Sequence, residues 1–333
     1  MSQTTLRVAA VGAGRMGRGI ALSYAFAGIP VSLVDLKPRT DEALAQLEQS
    51  ALLEIRRDLE FMAETGLFEK SRLEAVISRV EFAGLAQAPA ALAAAGLIYE
   101  AVPERMEAKQ EAFTLISQHA AETAVIASTT STFLVTELAQ WVTRPQRFLN
   151  AHWLNPAHLM PLVELSRSET TADDAVAWLK QNLEQVGKVP VVCNNSPGYI
   201  VPRIQALAMN EAARLVEEGV ASAEDIDTAI RVGFGPRFAV LGLLEFTDWG
   251  GGDILYYASN YLRKTLDERF APPQVIADNM AQKRRGIRDG EGFYVYDEAE
   301  LDSYRQHRLK AFTTLLKSRD LLPQEGQALK GNG

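Results

Sequence analysis

Histidine is the side-chain type suited to exchanging a proton near neutrality, and of the four in this sequence, His119, His152, His158 and His307, two crowd the stretch Asn150-Ala151-His152-Trp153-Leu154-Asn155-Pro156-Ala157-His158. An imidazole so placed can take the proton of a substrate hydroxyl while the carbon bearing it loses a hydride, the usual task of histidine in acid–base catalysis. His119 and His307 fall inside helical patterns, which suits structural or exposed roles. His152 and His158 follow the apolar run 148–151, read as a strand, and spacing alone leaves the choice between them open, with His152 nearer the strand. Glu164 on the next apolar run either holds an imidazole in one tautomer and stabilises its cation or is an ordinary strand-end carboxylate. Ser128-Thr129-Thr130-Ser131-Thr132 offers five hydroxyls between a strand and a helix. Some cap that helix and one could donate to a substrate oxygen, and the pattern does not choose among them. Asn155-Pro156, taken alone, is a turn.

A second constellation suits the group that would receive the hydride. Residues 6–11 run apolar into Gly12-Ala13-Gly14-Arg15-Met16-Gly17, and the short run 31–34 ends on Asp35, eighteen positions past Gly17. The pattern is strand, glycine turn, helix, strand. Gly12 allows the tight turn, Gly14 lets backbone amides approach a pyrophosphate, and Gly17 lets helix pack closely on strand. Met16 lies in the same turn and is counted with the cofactor-binding residues. The phosphates would rest on a helix N-terminus, whose free N–H groups and dipole favour anions. Asp35 can accept hydrogen bonds from both hydroxyls of an adenine ribose and would repel a 2'-phosphate, so NAD is expected rather than NADP. Lys37 and Arg39 read as solvated loop charges.

The elements needed to position these residues follow from the alternation of apolar runs. Helical spacing over 39–62 and 71–78 is followed by a strand at 96–102, a helix at 106–120, a strand at 124–127, a helix at 134–141 and a strand at 148–151. Strands at 162–165 and 189–192 flank a helix over 173–186. The expected fold is α/β, a Rossmann-type doubly wound and mostly parallel sheet whose ligands lie beyond the carboxyl ends of its strands. From Ser196-Pro197-Gly198 onward helices dominate: 200–218, 223–232, 241–270, and a last one to about 319. The division is therefore 1–195, an NAD-binding domain, and 196–333, an all-α substrate and dimerisation domain. Leu241, Leu243, Leu244, Phe246, Tyr256 and Tyr257 exceed what a small helical domain needs for its own core, which points to a homodimer.

Composition narrows the partners. The 333 residues are 47% hydrophobic and carry a net charge of -8, with no basic face for nucleic acid. Cys193 is the sole cysteine, which excludes an intrachain disulfide framework and suits a reducing cytoplasm. No run of eighteen apolar residues suggests a membrane partner. A small-molecule substrate and no metal are expected.

The order GAGRMGRGIA from Gly12, EAVPERMEAK from Glu100, ASTTSTFL from Ala127, AHWLNPAHLMPLVEL from Ala151, SPGYIVPR from Ser196 and GFYVY from Gly292 resembles the L-3-hydroxyacyl-CoA dehydrogenase superfamily over nearly the whole chain. The resemblance implies an NAD-dependent dehydrogenase of fatty-acid metabolism, dimeric, in which Ser131 hydrogen-bonds the substrate oxygen, His152 is the general base and Glu164 orients it. It also implies that Asp35, Glu104 and Lys109 contact NAD. One position departs: where the family carries an asparagine before the arginine of its PGF-like motif, this chain has Pro202 before Arg203, which offers no side-chain donor. Asn155 or Asn210 could compensate.

Two substrates fit the resemblance. Ser50 and Arg57 fall where CoA-using members place a serine and a lysine, which favours a 3-hydroxyacyl thioester of the 3-hydroxybutyryl type. The stretch from Gly233 to Gly242 is more similar to the branch acting on free acids such as gulonate and carnitine, in which Arg237 would anchor a carboxylate. The stretch HWLNPAHLMPLVE is also similar to a member that oxidises a pyridine aldehyde. A non-catalytic NAD-binding protein is the alternative of another class, and it would not need Ser131, His152 and Glu164 together.

Overall fold

The computed structural model describes residues 6–322. It divides into two compact units, Met1–Ala208 and Met209–Gly333. In the first, strands β1 (Val8–Val11), β2 (Val31–Val34), β3 (Val80–Ala83), β4 (Leu97–Glu100), β5 (Val125–Ser128), β6 (Phe148–Trp153), β7 (Leu162–Arg167) and β8 (Val189–Asn194) form one sheet. Their order is β3-β2-β1-β4-β5-β6-β7-β8. Every pairing is parallel except that of β6 with β7. The order reverses between β1 and β4, which opens a crevice beyond their carboxyl ends.

The central strands are buried along their length, and their apolar residues alternate between two cores. One face packs against helices α1 (Arg15–Phe26), α2 (Asp41–Glu64) and α3 (Leu73–Ile77), with Ile20, Ile55, Leu59 and Val76 among the buried side chains. The other packs against α4 (Ala88–Ala94), α5 (Met106–His119) and α6 (Val135–Ala139), through Leu92, Phe113, Ile116 and Leu138. Helix α7 (Asp173–Gln185) returns to the first face through Leu179 and Leu183. Thr40 caps α2, its side chain accepting the Ala43 amide, and Asp41 and Glu42 lie in the first turn where negative charge favours the helix dipole.

The differences from the sequence expectation have physical causes. Strand β3 was not expected; it is an edge strand, paired only with β2, and with Glu81 exposed it lacks the unbroken apolar run that marks the central strands of the same length. Strand β6 runs two residues beyond the expected 151, because its antiparallel partner β7 continues the hydrogen-bond ladder past the neighbouring parallel strands, pairing His152 with Glu164 and Trp153 with Val163. His152 therefore sits in the strand rather than after it.

The chain continues with α8 (Val201–Glu217), α9 (Ala223–Ala229), a π turn at Ile230–Phe234, α10 (Gly235–Val240), α11 (Leu243–Gly250), α12 (Gly252–Thr265), α13 (Gln274–Ala281) and α14 (Leu301–Lys317). The single helix expected over 241–270 is broken at Gly250-Gly251-Gly252, where Gly251 takes φ +101. Helix α13, also unexpected, starts directly after Pro272-Pro273. No helix among the described residues is long and apolar enough to cross a membrane.

Candidate active site

Beyond β1 and β4 lies a cleft of about 500 Å³ whose walls include Gly12, Gly14, Met16, Asp35 and Arg39. Its floor has no room for side chains. A Cβ on Gly12 would stand 2.4 Å from the Ala101 carbonyl oxygen, and one on Gly17 would stand 1.9 Å from the Gly12 carbonyl oxygen. Gly14 has nothing within 4 Å of where its Cβ would be, so its backbone faces open space at the start of α1. A turn of bare backbone leading into a helix N-terminus, with a carboxylate at the end of the next strand, fits a dinucleotide. Asp35 is nearly buried and accepts a bond from the Arg39 side chain, so Arg39 is a neighbour of that carboxylate rather than a free loop charge.

Of the two residues that the resemblance places against NAD, Glu104 keeps an exposed side and Lys109 does not. Lys109 is wholly buried, its ammonium 3.0 Å from both carboxylate oxygens of Glu100 and 3.1 Å from Glu104. It has no surface with which to touch a dinucleotide, so its reach toward one runs through Glu104. Burial pushes the Glu100 carboxyl up, against the pull of Lys109 and the Ser128 hydroxyl. Glu104 goes the other way. Burial raises it too, but the Thr130 hydroxyl, Lys109 and the Thr132 hydroxyl together hold it below the usual carboxylate range. Glu104 also accepts the amides of Ser131 and Thr132, at 3.0 and 3.2 Å. One carboxylate thus shapes the loop that carries the five hydroxyls.

That loop separates the five. Ser128, Thr130 and Thr132 spend their hydroxyls on Glu100 and Glu104, and Thr129 is buried. Ser131 is exposed, and its hydroxyl has no partner among the described residues. It follows β5, whose Ser128 pairs in register with Asn150, two residues before His152. Ser131, just past the end of β5, and His152, in the last two residues of β6, thus lie toward the same end of adjacent strands.

His152 is 5% exposed, and its Nδ1 lies 2.9 Å from Glu164 Oε2. The second oxygen of Glu164 accepts the backbone amides of Ile200 and Val201, both at 2.9 Å. Burial alone would raise the Glu164 carboxyl, yet the His152 ring and those two amides outweigh it and hold it below its ordinary value. An ionised Glu164 accepting at one oxygen from Nδ1–H leaves Nε2 as the free ring nitrogen, a tautomer assigned from the hydrogen bonding. His158, by contrast, faces Asp58 at 3.6 Å beside a second cleft.

That second cleft, about 420 Å³, is bounded by Arg15 at the start of α1, by Arg57 on α2, and by the turn carrying Asn155 and His158. Glu54 on its wall pairs with Arg18 and Asp58 faces His158, so Arg15 and Arg57 have no acidic partner among the described residues. Ser50, seven residues before Arg57 on α2, is exposed and does not line the cleft. Arg237 lies in the second unit, where its Nε donates to the Gly233 carbonyl at 3.0 Å and its guanidinium stands 5.1 Å over the Phe246 ring. It pairs with no carboxylate among the described residues. Asn210, the other expected substitute for the missing asparagine, is exposed on α8.

Residues 7–196 match the model of the 3-hydroxyacyl-CoA dehydrogenase NAD-binding domain, and residues 198–296 match that family's C-terminal domain. This chain belongs to the 3-hydroxyacyl-CoA dehydrogenase family. It is an NAD-dependent dehydrogenase acting on a hydroxyl group. It is 30% identical over 319 residues to the 5-formyl-3-hydroxy-2-methylpyridine 4-carboxylate 5-dehydrogenase of Mesorhizobium japonicum, covering 94% of this chain and 99% of that one. It is 31% identical over 293 residues to a probable 3-hydroxybutyryl-CoA dehydrogenase of Bacillus subtilis, covering 88% and 98%. A 3-hydroxyacyl-CoA dehydrogenase structure from Archaeoglobus fulgidus superposes with a TM-score of 0.75 at 30% identity, covering 95% of this chain and all of that one.

Three side chains of the candidate site were not singled out from the sequence. Tyr199 stacks on His152, Asn150 bonds Tyr199, and Glu100 anchors Lys109. The run SPGYIVPR contains Tyr199, but only the fold brings it against the histidine. Among the described residues no cluster of His, Cys, Asp or Glu is placed to hold a metal ion.

Proposed function

We propose that the enzyme oxidises an L-3-hydroxyacyl-CoA of the 3-hydroxybutyryl type to the 3-oxoacyl-CoA, with His152 as general base. The observation that carries the chemistry is the His152–Glu164 pair. Glu164 is fixed at both oxygens and cannot turn away, so His152 presents Nε2. The substrate hydroxyl proton passes to Nε2, and the imidazolium that forms faces a buried carboxylate, which offsets the cost of charging it there. The Ser131 hydroxyl donates to the same substrate oxygen. Bound NAD supplies the acceptor for the hydride that leaves C3. The thioester reading rests on Arg15 and Arg57, two guanidiniums without acidic partners in the second cleft, which suit a phosphorylated tail. We also infer a homodimer, from the apolar surface of the second unit.

A free-acid substrate is the second reading, favoured by the unpaired Arg237 and by the M. japonicum relative, whose match spans more of this chain than the CoA-named one. The deciding assay compares acetoacetyl-CoA with free carnitine, gulonate, 3-hydroxybutyrate and a pyridine carboxylate. Turnover of the thioester, with KM raised about tenfold by Arg57→Ala, is the expected result; such a loss is about 1.4 kcal/mol. Activity confined to free acids and abolished by Arg237→Ala would replace this reading with the second.

A further inference from the structure

The ring of Tyr199 lies parallel to that of His152, at 4° with centroids 5.1 Å apart, and is almost wholly buried. Its hydroxyl donates to the Thr130 carbonyl at 2.9 Å and receives the Asn150 amide at 3.0 Å. Asn150 is fully buried on β6, two residues before His152, and its amide also donates to the Phe133 carbonyl at 3.0 Å. Thr130 precedes Ser131. One phenol therefore joins the strand bearing the base, the loop bearing the hydroxyl donor, and the segment whose amides hold Glu164. Burial pushes the phenol far above its ordinary value, so it remains a neutral donor throughout the working range.

The backbone adds an independent sign. Tyr199 is at φ +48, a conformation L residues rarely adopt, directly after Gly198 at φ +74. Two successive left-handed residues turn the following amides, Ile200 and Val201, onto one oxygen of Glu164. Strain of this kind persists only where surrounding contacts over-determine it, and it gathers at functional sites. Pro202 follows in the first turn of α8, where a missing N–H costs nothing, but its ring offers no donor to the site.

We propose that Tyr199, anchored by Asn150, is a positioning residue for the reaction: its ring fixes the plane of His152, and its hydroxyl fixes the Ser131 loop against that plane. This rests on the reading of His152 as base, and the two can fail separately. Stacking and the hydroxyl are separable by substitution. Tyr199→Phe keeps the ring and should lower kcat about tenfold, with KM and NADH affinity within twofold. Tyr199→Leu removes both and should lower kcat about a hundredfold, so that phenylalanine restores part of what leucine loses. Asn150→Ala should resemble Tyr199→Phe, and the double variant should lose little beyond either single one, because both substitutions break one chain.

A second readout needs no substrate. In protein labelled with 15N-histidine, the His152 signals, assigned by their loss in His152→Gln, should report a single tautomer in the wild type and in Tyr199→Phe, and averaged signals in Tyr199→Leu. NADH binding and thermal melting verify that each variant is folded. If both tyrosine variants and Asn150→Ala turn over within twofold of wild type, with one tautomer throughout, Tyr199 is merely a core aromatic and the proposal fails. If no hydroxy substrate is oxidised by the wild type but the leucine variant still loses its tautomer, the positioning stands and the catalytic reading falls.

Discussion

At the residue scale the enzyme reduces to one imidazole and the groups that constrain it. General-base catalysis contributes roughly 10²–10⁴-fold, so His152→Ala should lower turnover by that order while leaving NADH affinity near wild type. Near-normal turnover in that variant would remove His152 from the mechanism. Glu164 yields a prediction about acid. Its carboxyl is held below the usual 4.5, so the stability it supplies is complete above that value and is lost as pH falls through the lower folded value. Urea midpoints measured from pH 6 down to pH 3 should therefore fall more steeply for the wild type than for Glu164→Gln. Parallel curves would show that Glu164 has no such linkage.

At the element scale the turn between β6 and β7 is held by an unusual cation. Lys188, just before β8, donates from its buried ammonium to the carbonyls of Ala157 and Met160, at 2.6 and 3.0 Å, and stands 5.2 Å over the Trp153 ring. It has no carboxylate partner among the described residues, and burial pushes it from 10.5 down to about 8. Between those values the unfolded chain keeps a proton that the folded chain has shed. Stability from this group therefore rises with pH over that window. Lys188→Met should abolish the rise, seen as the difference between wild-type and variant melting curves from pH 7.5 to pH 10.5, and by loosening the turn carrying Asn155 it should raise the substrate KM. A variant that keeps the rise would assign it to another group.

At the scale of the molecule, the second unit leaves much apolar surface uncovered. On α12, Ile254, Tyr257 and Tyr261, at helical spacing on one stripe, are 63%, 64% and 67% exposed. An apolar stripe of that kind marks an association surface on a folded protein. Sedimentation should find a dimer that Tyr257→Asp with Tyr261→Asp converts to monomers, with the melting temperature little changed. A wild type that sediments as a monomer at tens of micromolar would contradict the inference.

Much of this was determined by the sequence alone. The glycine turn, Asp35 and the alternation of strands and helices are local patterns, each tied to the backbone period or turn that demands it; spacing alone narrows the rest to five hydroxyls, two histidines and Glu164, among which the resemblance picks Ser131 and His152. The tertiary structure decided what depends on partners remote in the chain. It leaves Ser131 as the exposed hydroxyl of the five without a partner among the described residues, because Glu104 and Glu100 claim three of the others and Thr129 is buried. It drew His152 into β6 because β7 runs antiparallel to that strand. It moved Lys109 into the interior beside Glu100. It laid Tyr199 on the imidazole from forty-seven residues downstream. Spacing along a chain fixes direction within one element, but which side chains face each other across elements is set only when the sheet order and its single reversal bring them together.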